Sequence, residues 1–139
     1  MRLLFIKLKH IGDALIMTPM LTAVRARHPE AEIHVVVRRG TEGILAGCPA
    51  INHLITTTPV ESDQRAIADS WKDLRMGLKL RQQQFDYAFD LTDGDRGRWM
   101  VGLSQATHRC ISTPKRDHAR TPARQGVCRS SRNHARTRA

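Results

Sequence analysis

The stretch Leu3 to Leu8 is apolar except for Lys7, and it is followed by a Gly12-Asp13 pair and then a helical pattern. Such a run is too short to cross a bilayer, and its lysine would be costly in lipid. It reads instead as a strand buried on both faces. A buried strand feeding a tight turn and a helix is how an open parallel sheet begins, and such turns carry ligands at the strand's carboxyl end.

The same alternation continues along the chain. Ile16, Met20, Leu21 and Val24 fall near helical spacing in the segment from Asp13 to His28, although Pro19 interrupts it. A proline inside a helix removes a donor and crowds the preceding turn. Two readings fit: the helix kinks at Pro19, or Thr18 caps it and Pro19 takes the first helical position. Glu32 to Arg38 is a β-branched strand, Gly40 to Gly47 a short helix and Asn52 to Thr57 a third strand. Ser62 to Gln84 reads as an amphipathic helix whose apolar positions are Ile67, Trp71, Leu74, Leu78 and Leu80. Asp86 to Leu91 is a fourth strand and Thr92 to Arg98 its loop. A helix from Trp99 to Leu103 and a short strand from His108 to Ser112 complete the pattern. Strands alternating with helices predict a doubly wound α/β domain with a parallel sheet, in the order 3-2-1-4-5.

Charge separates this domain from the last 27 residues. The net charge is +10, but residues 1–112 hold 15 Lys/Arg against 12 Asp/Glu, while residues 113–139 hold 8 against 1. The second segment contains no Leu, Ile, Phe, Met, Trp or Tyr, so it offers nothing to a core and reads as a disordered basic tail. Its mixture of Arg, Ala, Thr, Ser, Pro and His matches a GC-rich gene translated out of frame, with the shift near codon 113. The competing reading is a nucleic-acid-binding arm, which lacks the aromatics on which bases stack. Cys48, Cys110 and Cys128 show no C-x-x-C spacing, which indicates neither a disulfide framework nor a zinc site and suits a reducing compartment. No signal peptide is recognisable, and a cytoplasmic location is expected.

In the order 3-2-1-4-5 the first and fourth strands are neighbours, and ligands bind where the order reverses. Lys9-His10-Ile11-Gly12-Asp13 and Thr92-Asp93-Gly94-Asp95-Arg96-Gly97-Arg98 would then face one cleft. Asp13 suits two roles there. An acid at a helix amino end favours the dipole and free N–H groups, contributing roughly 0.5–2 kcal/mol. It also suits a general base taking a proton from an attacking hydroxyl. Gly12 makes the turn or lets a substrate approach the backbone. Lys7, Lys9 and His10 suit anions or are ordinary surface polar groups. Asp93-Gly94-Asp95 matches a D-x-D metal pattern weakly and is equally turn chemistry. Arg96 and Arg98 suit carboxylate or phosphate contacts, or a solvated loop. No G-x-G-x-x-G dinucleotide fingerprint is present, and no cofactor is expected.

The opening Ile6-Lys7 with Ile11-Gly12-Asp13-Ala14-Leu15-Ile16-Met17-Thr18-Pro19-Met20-Leu21, and His28-Pro29-Glu30-Ala31-Glu32-Ile33 after it, resembles the bacterial lipopolysaccharide heptosyltransferases. A second landmark, Leu80-Arg81 with Phe85-Asp86-Tyr87-Ala88-Phe89-Asp90-Leu91-Thr92-Asp93, is closest to the type that adds a third, branching heptose. The resemblance covers residues 1 to about 112. It implies the amino-terminal, Rossmann-like half of a GT-B type, inverting, metal-independent glycosyltransferase that binds a lipid-linked lipopolysaccharide core acceptor. ADP-heptose would bind in a carboxyl-terminal domain absent here. Asp13 matches the family's proposed base. Lys9, His10, Gly12, Asp93, Arg96 and Arg98 are the expected acceptor contacts, chosen by their position in the two loops because the motif does not assign them individually. Peripheral contact with the cytoplasmic face of the inner membrane and no nucleic-acid partner are expected. Without a donor domain the chain is expected to be inactive. The alternative is a small α/β binding module with a basic arm for nucleic acid or membrane; a regulatory phosphoacceptor domain lacks a convincing acidic cluster.

Overall fold

Leu3, Leu4, Phe5 and Ile6 are all buried, and alternate side chains enter two different cores. That is the signature of a strand covered on both faces. The computed structural model describes residues 1–8, 11–57, 67–92, 95–111 and 128–130. In it, β1 (Arg2–Lys7) lies between β2 (Glu32–Arg38) and β4 (Tyr87–Asp90), both parallel to it. β3 (His53–Thr57) extends the sheet beyond β2, and β5 (His108–Ile111) extends it beyond β4. The order β3-β2-β1-β4-β5 reverses between β1 and β4, as the alternation of elements predicts.

The first helix, α1 (Ile11–Arg27), covers one face with Ala14, Met17 and Leu21, which meet Leu3, Phe5, Ile33, Val35 and Val37. It runs through Pro19 with Thr18 inside it, so Thr18 is not the cap. Proline costs this helix the bond to the Leu15 carbonyl, and Leu15 and Pro19 both lie on the exposed side. In its last turn lies Arg25, whose guanidinium donates to the carbonyls of Pro29, Ala31 and Ala50 and to Asn52 Oδ1. The short α2 (Glu42–Leu45) adds Leu45 to the same core.

The other face is covered by α3 (Ile67–Gln82) and α4 (Asp95–Ser104), with Leu80, Met100 and Val101 against Leu4, Ile6 and Ala88. Two expectations need correction here. Trp71, Leu74 and Leu78 are exposed rather than packed, while Gly77 and Leu80 turn inward. A Cβ on Gly77 would stand 2.5 Å from Leu103 Cδ1, so α3 and α4 meet at a closeness only glycine allows. Further, α4 starts at Asp95, not at Trp99, so Arg96 and Arg98 occupy a helix rather than a loop. Asp95 in the first turn favours the dipole.

The segment given no element from its sequence contributes β6 (Cys128–Ser130), paired antiparallel with β5 through Cys110↔Cys128 and His108↔Ser130. A strand can form here because its bonds are backbone bonds, which need no core residue. The remainder of 113–139 lies outside the described residues. Among the described residues no helix is long and apolar enough to cross a membrane.

Candidate functional site at the strand-order reversal

Lys7 closes an otherwise apolar strand, and its side chain is only 15% exposed. An ammonium so covered has to be partnered. It donates to the carbonyl of Leu91, 2.5 Å away, and lies 3.4 Å from Asp13 Oδ2. One cation therefore joins the end of β1, the first turn of α1 and the exit from β4.

Thr92 reinforces this junction. Its hydroxyl accepts from the N–H of Leu8 at 3.0 Å and donates to the carbonyl of Ile6 at 3.3 Å. Its own N–H donates to Asp90 Oδ1 at 2.9 Å, while Leu91 N–H donates to Ile6 at 3.0 Å. Strands β1 and β4 thus stay connected past their ends, and the rim cannot splay without exposing buried polar groups. Asp90 is 2% exposed, and Gly97 lies against it: a Cβ there would collide with Asp90 Oδ1. Glycine at that point lets the first turns of α4 close over the β4 carboxylate.

Asp13 is the third residue of α1, and its side chain is 37% exposed, within reach of solvent and of a ligand. It sits in the first turn, where its charge favours the helix dipole. Among the described residues nothing lies within 4 Å of the place a Gly12 Cβ would occupy. The glycine leaves open space on the amino end of α1 and is not needed there for a left-handed backbone. The space and the carboxylate are adjacent in sequence and share one helical turn.

Arg96 and Arg98 lie in the first turns of α4, on the rim next to that of α1. Arg98 pairs loosely with Asp95 at 3.8 Å, and both are exposed. Lys9, His10 and Asp93 lie outside the described residues. The two participants that sequence reasoning undervalued are Lys7 and Thr92. The signal for Lys7 was present as a lone charge ending a buried strand. Thr92 carried no comparable mark, because a threonine after a strand is commonplace.

Comparison with known proteins gives a consistent picture. No family model matches the chain. Lipopolysaccharide heptosyltransferase 3 of Escherichia coli strain K12 is 29% identical over 97 residues, which are 69% of this chain and 26% of that protein. An Escherichia coli protein of the same name is 30% identical over 94 residues, 66% of this chain and 25% of its own length. The chain spans about a quarter of the length of these curated relatives. Among solved structures, a glycosyl transferase family 9 protein from Veillonella parvula DSM 2008 superposes with a TM-score of 0.67 at 19% identity, over 78% of this chain and 30% of that one. Escherichia coli ADP-heptose lipopolysaccharide heptosyltransferase II gives 0.66 at 21%, over 80% and 30%.

The fold is thus the Rossmann-like domain found in glycosyltransferases, with its polar rim at the switch point. Over about two thirds of its length the chain resembles part of the lipopolysaccharide heptosyltransferases, about a quarter of whose length it matches.

Proposed function

We propose that residues 1–112 form the acceptor-binding half of a GT-B type heptosyltransferase and that Asp13 is its general base. The observation that carries this reading is the half-exposed Asp13 carboxylate on the first turn of α1, at the reversal of strand order and beside the Lys7 ammonium. The solved relatives include heptosyltransferase WaaC with ADP and with ADP-2-deoxy-2-fluoro heptose, which points to ADP-heptose as donor.

In the proposed reaction an acceptor hydroxyl of the lipopolysaccharide core approaches over Gly12. Its oxygen attacks the anomeric carbon of the donor from the face opposite ADP. The bond to ADP breaks and ADP leaves with the electron pair, while the hydroxyl proton passes to Asp13. The transition state is oxocarbenium-like, and attack from the opposite face inverts the anomeric centre. A carboxylate needs no metal for this proton transfer. Lys9, His10, Asp93, Arg96 and Arg98 bind the acceptor, the cations meeting the anionic groups of the core. The acceptor is lipid-linked, so the site works at the cytoplasmic face of the inner membrane.

The donor is held by the carboxyl-terminal portion that the relatives have and these 139 residues do not match. The chain alone therefore does not turn ADP-heptose over. The test joins residues 1–112 to the carboxyl-terminal portion of Escherichia coli heptosyltransferase 3 and measures ADP release with a core acceptor. The joined protein is expected to transfer heptose, its Asp13→Asn form to lose at least about two orders of magnitude in rate, and the 139-residue chain to release none. Full activity of the Asn form would move the base elsewhere, and turnover by the chain alone would overturn the division of labour.

A further inference from the structure

At the opposite rim, where the strands begin, Glu32, His34 and His53 converge. Glu32 and His34 are two residues apart on β2 and so share a face, and His53 opens β3 in register with His34. The Nε2 atoms of His34 and His53 lie 3.1 and 3.0 Å from the same oxygen, Glu32 Oε1. All three ligand atoms fall within 4.8 Å of one another. This rim is remote from the proposed transfer site: Glu32 is in register with Arg2, at the start of the strand that Lys7 ends. Five residues of strand separate those ends, roughly 17 Å.

We propose that Glu32, His34 and His53 bind a zinc ion. Zinc takes imidazole nitrogen and carboxylate oxygen at about 2.0–2.2 Å in tetrahedral geometry, which places neighbouring ligand atoms about 3.4 Å apart. The present 3.0 and 3.1 Å separations reach that by outward movements of a few tenths of an ångström. Three protein ligands leave the fourth position to water, on the side where His53 is 54% exposed.

The surroundings are those of a held ligand set. The His34 side chain is 4% exposed and meets the Phe85 ring edge-on at 5.0 Å, which fixes its plane. The Nε–H of Arg2 donates to the other Glu32 oxygen, Oε2, at 2.9 Å and turns Oε1 toward the imidazoles, as outer contacts do around bound metals. Burial favours the neutral imidazole of His34, the form that coordinates. The Arg2 guanidinium also opposes a cation, and the anionic carboxylate between them offsets it.

The experiment uses the untagged 139-residue chain, stripped with chelator and titrated with zinc chloride by calorimetry at neutral pH. One ion per chain is expected. Its affinity should fall at least about tenfold in His53→Gln and in Glu32→Gln. Zinc should raise the thermal midpoint of the parent chain and not that of His53→Gln, whose metal-free midpoint should match the parent's because the residue is exposed. A His118→Gln/His134→Gln variant, altered only in the tail, should bind like the parent. No uptake of zinc, or uptake that survives His53→Gln and Glu32→Gln undiminished, would overturn the proposal.

Discussion

The ammonium of Lys7 stands 3.4 Å from the Asp13 carboxylate while donating to the Leu91 carbonyl at 2.5 Å. The two contacts differ in weight. Leu91 offers a directed, charge-assisted bond in a partly buried setting, and such bonds contribute about 1.5–3 kcal/mol. The carboxylate is more than one-third exposed, and exposed ion pairs contribute about 0–1 kcal/mol. Lys7→Met keeps the apolar stem and removes both, so urea unfolding should show a loss of about 1–3 kcal/mol. Asp13→Asn should cost less than about 1 kcal/mol. Equal losses in the two variants would mean that the pair, not the carbonyl bond, holds the rim together.

Gly12 and Gly97 separate a glycine left open from one that is closed in. No atom of the described residues would meet a Cβ at Gly12, which lies within α1, so Gly12→Ala should be neutral or stabilise by up to about 1 kcal/mol. In the proposed transferase the same methyl would crowd the acceptor and lower activity without lowering stability. Gly97→Ala drives a methyl group against Asp90, itself bonded to Thr92. A destabilisation of about 1–3 kcal/mol is expected, read as a fall in the urea midpoint. A well-tolerated alanine at Gly97 would show that α4 moves aside freely.

The exposed stripe on α3 yields a further prediction. Trp71 is 62% exposed, and Leu74 and Leu78 are also accessible. Trp71→Ala should therefore change the urea midpoint little, by less than about 0.5 kcal/mol. Gly77→Ala, which forces a Cβ onto Leu103, should cost about 1–3 kcal/mol. The reverse ranking would place the tryptophan in the core.

The sheet order is legible in the sequence because Leu3–Ile6 and Val35–Val37 are continuous apolar runs, which a parallel sheet covered on both faces buries. The shared rim of Gly12-Asp13 and the segment after Leu91 is a consequence of that order. Which stripe of α3 faces inward is not legible, because hydrophobicity favours Trp71 and Leu78 while close approach to α4 favours Gly77. The start of α4 is obscured for a related reason: Gly97 looks like loop chemistry until Asp90 is placed beneath it. Strand β6 is invisible because backbone pairing along an edge leaves little mark in side-chain composition. His34 and His53 are nineteen residues apart, and only the β2–β3 register brings them together.

His34 also couples stability to pH. Burial lowers its pKa from the ordinary 6.5, with the charge of His53 acting in the same direction and the Glu32 contact opposing both. The unfolded chain therefore takes up a proton at a pH where the folded chain does not, so stability rises with pH through this window. This contribution is complete above 6.5 and is lost as pH falls through 6.5 toward the folded value. Glu32 adds a second, lower window. Burial raises its carboxyl, but the hydrogen bonds and charges of Arg2 and His34 outweigh that and hold it below the ordinary 4.5. Its contribution is complete above 4.5 and is lost as pH falls through the folded value. Other histidines titrate in the upper window, so the informative quantity is a difference between variants. With chelator present, the urea midpoint of the parent chain should drop from pH 7.5 to pH 5, and that of His34→Gln should drop less, each compared with its own value at pH 7.5. Parallel profiles would show that His34 accepts its proton in the folded chain as readily as in the unfolded one.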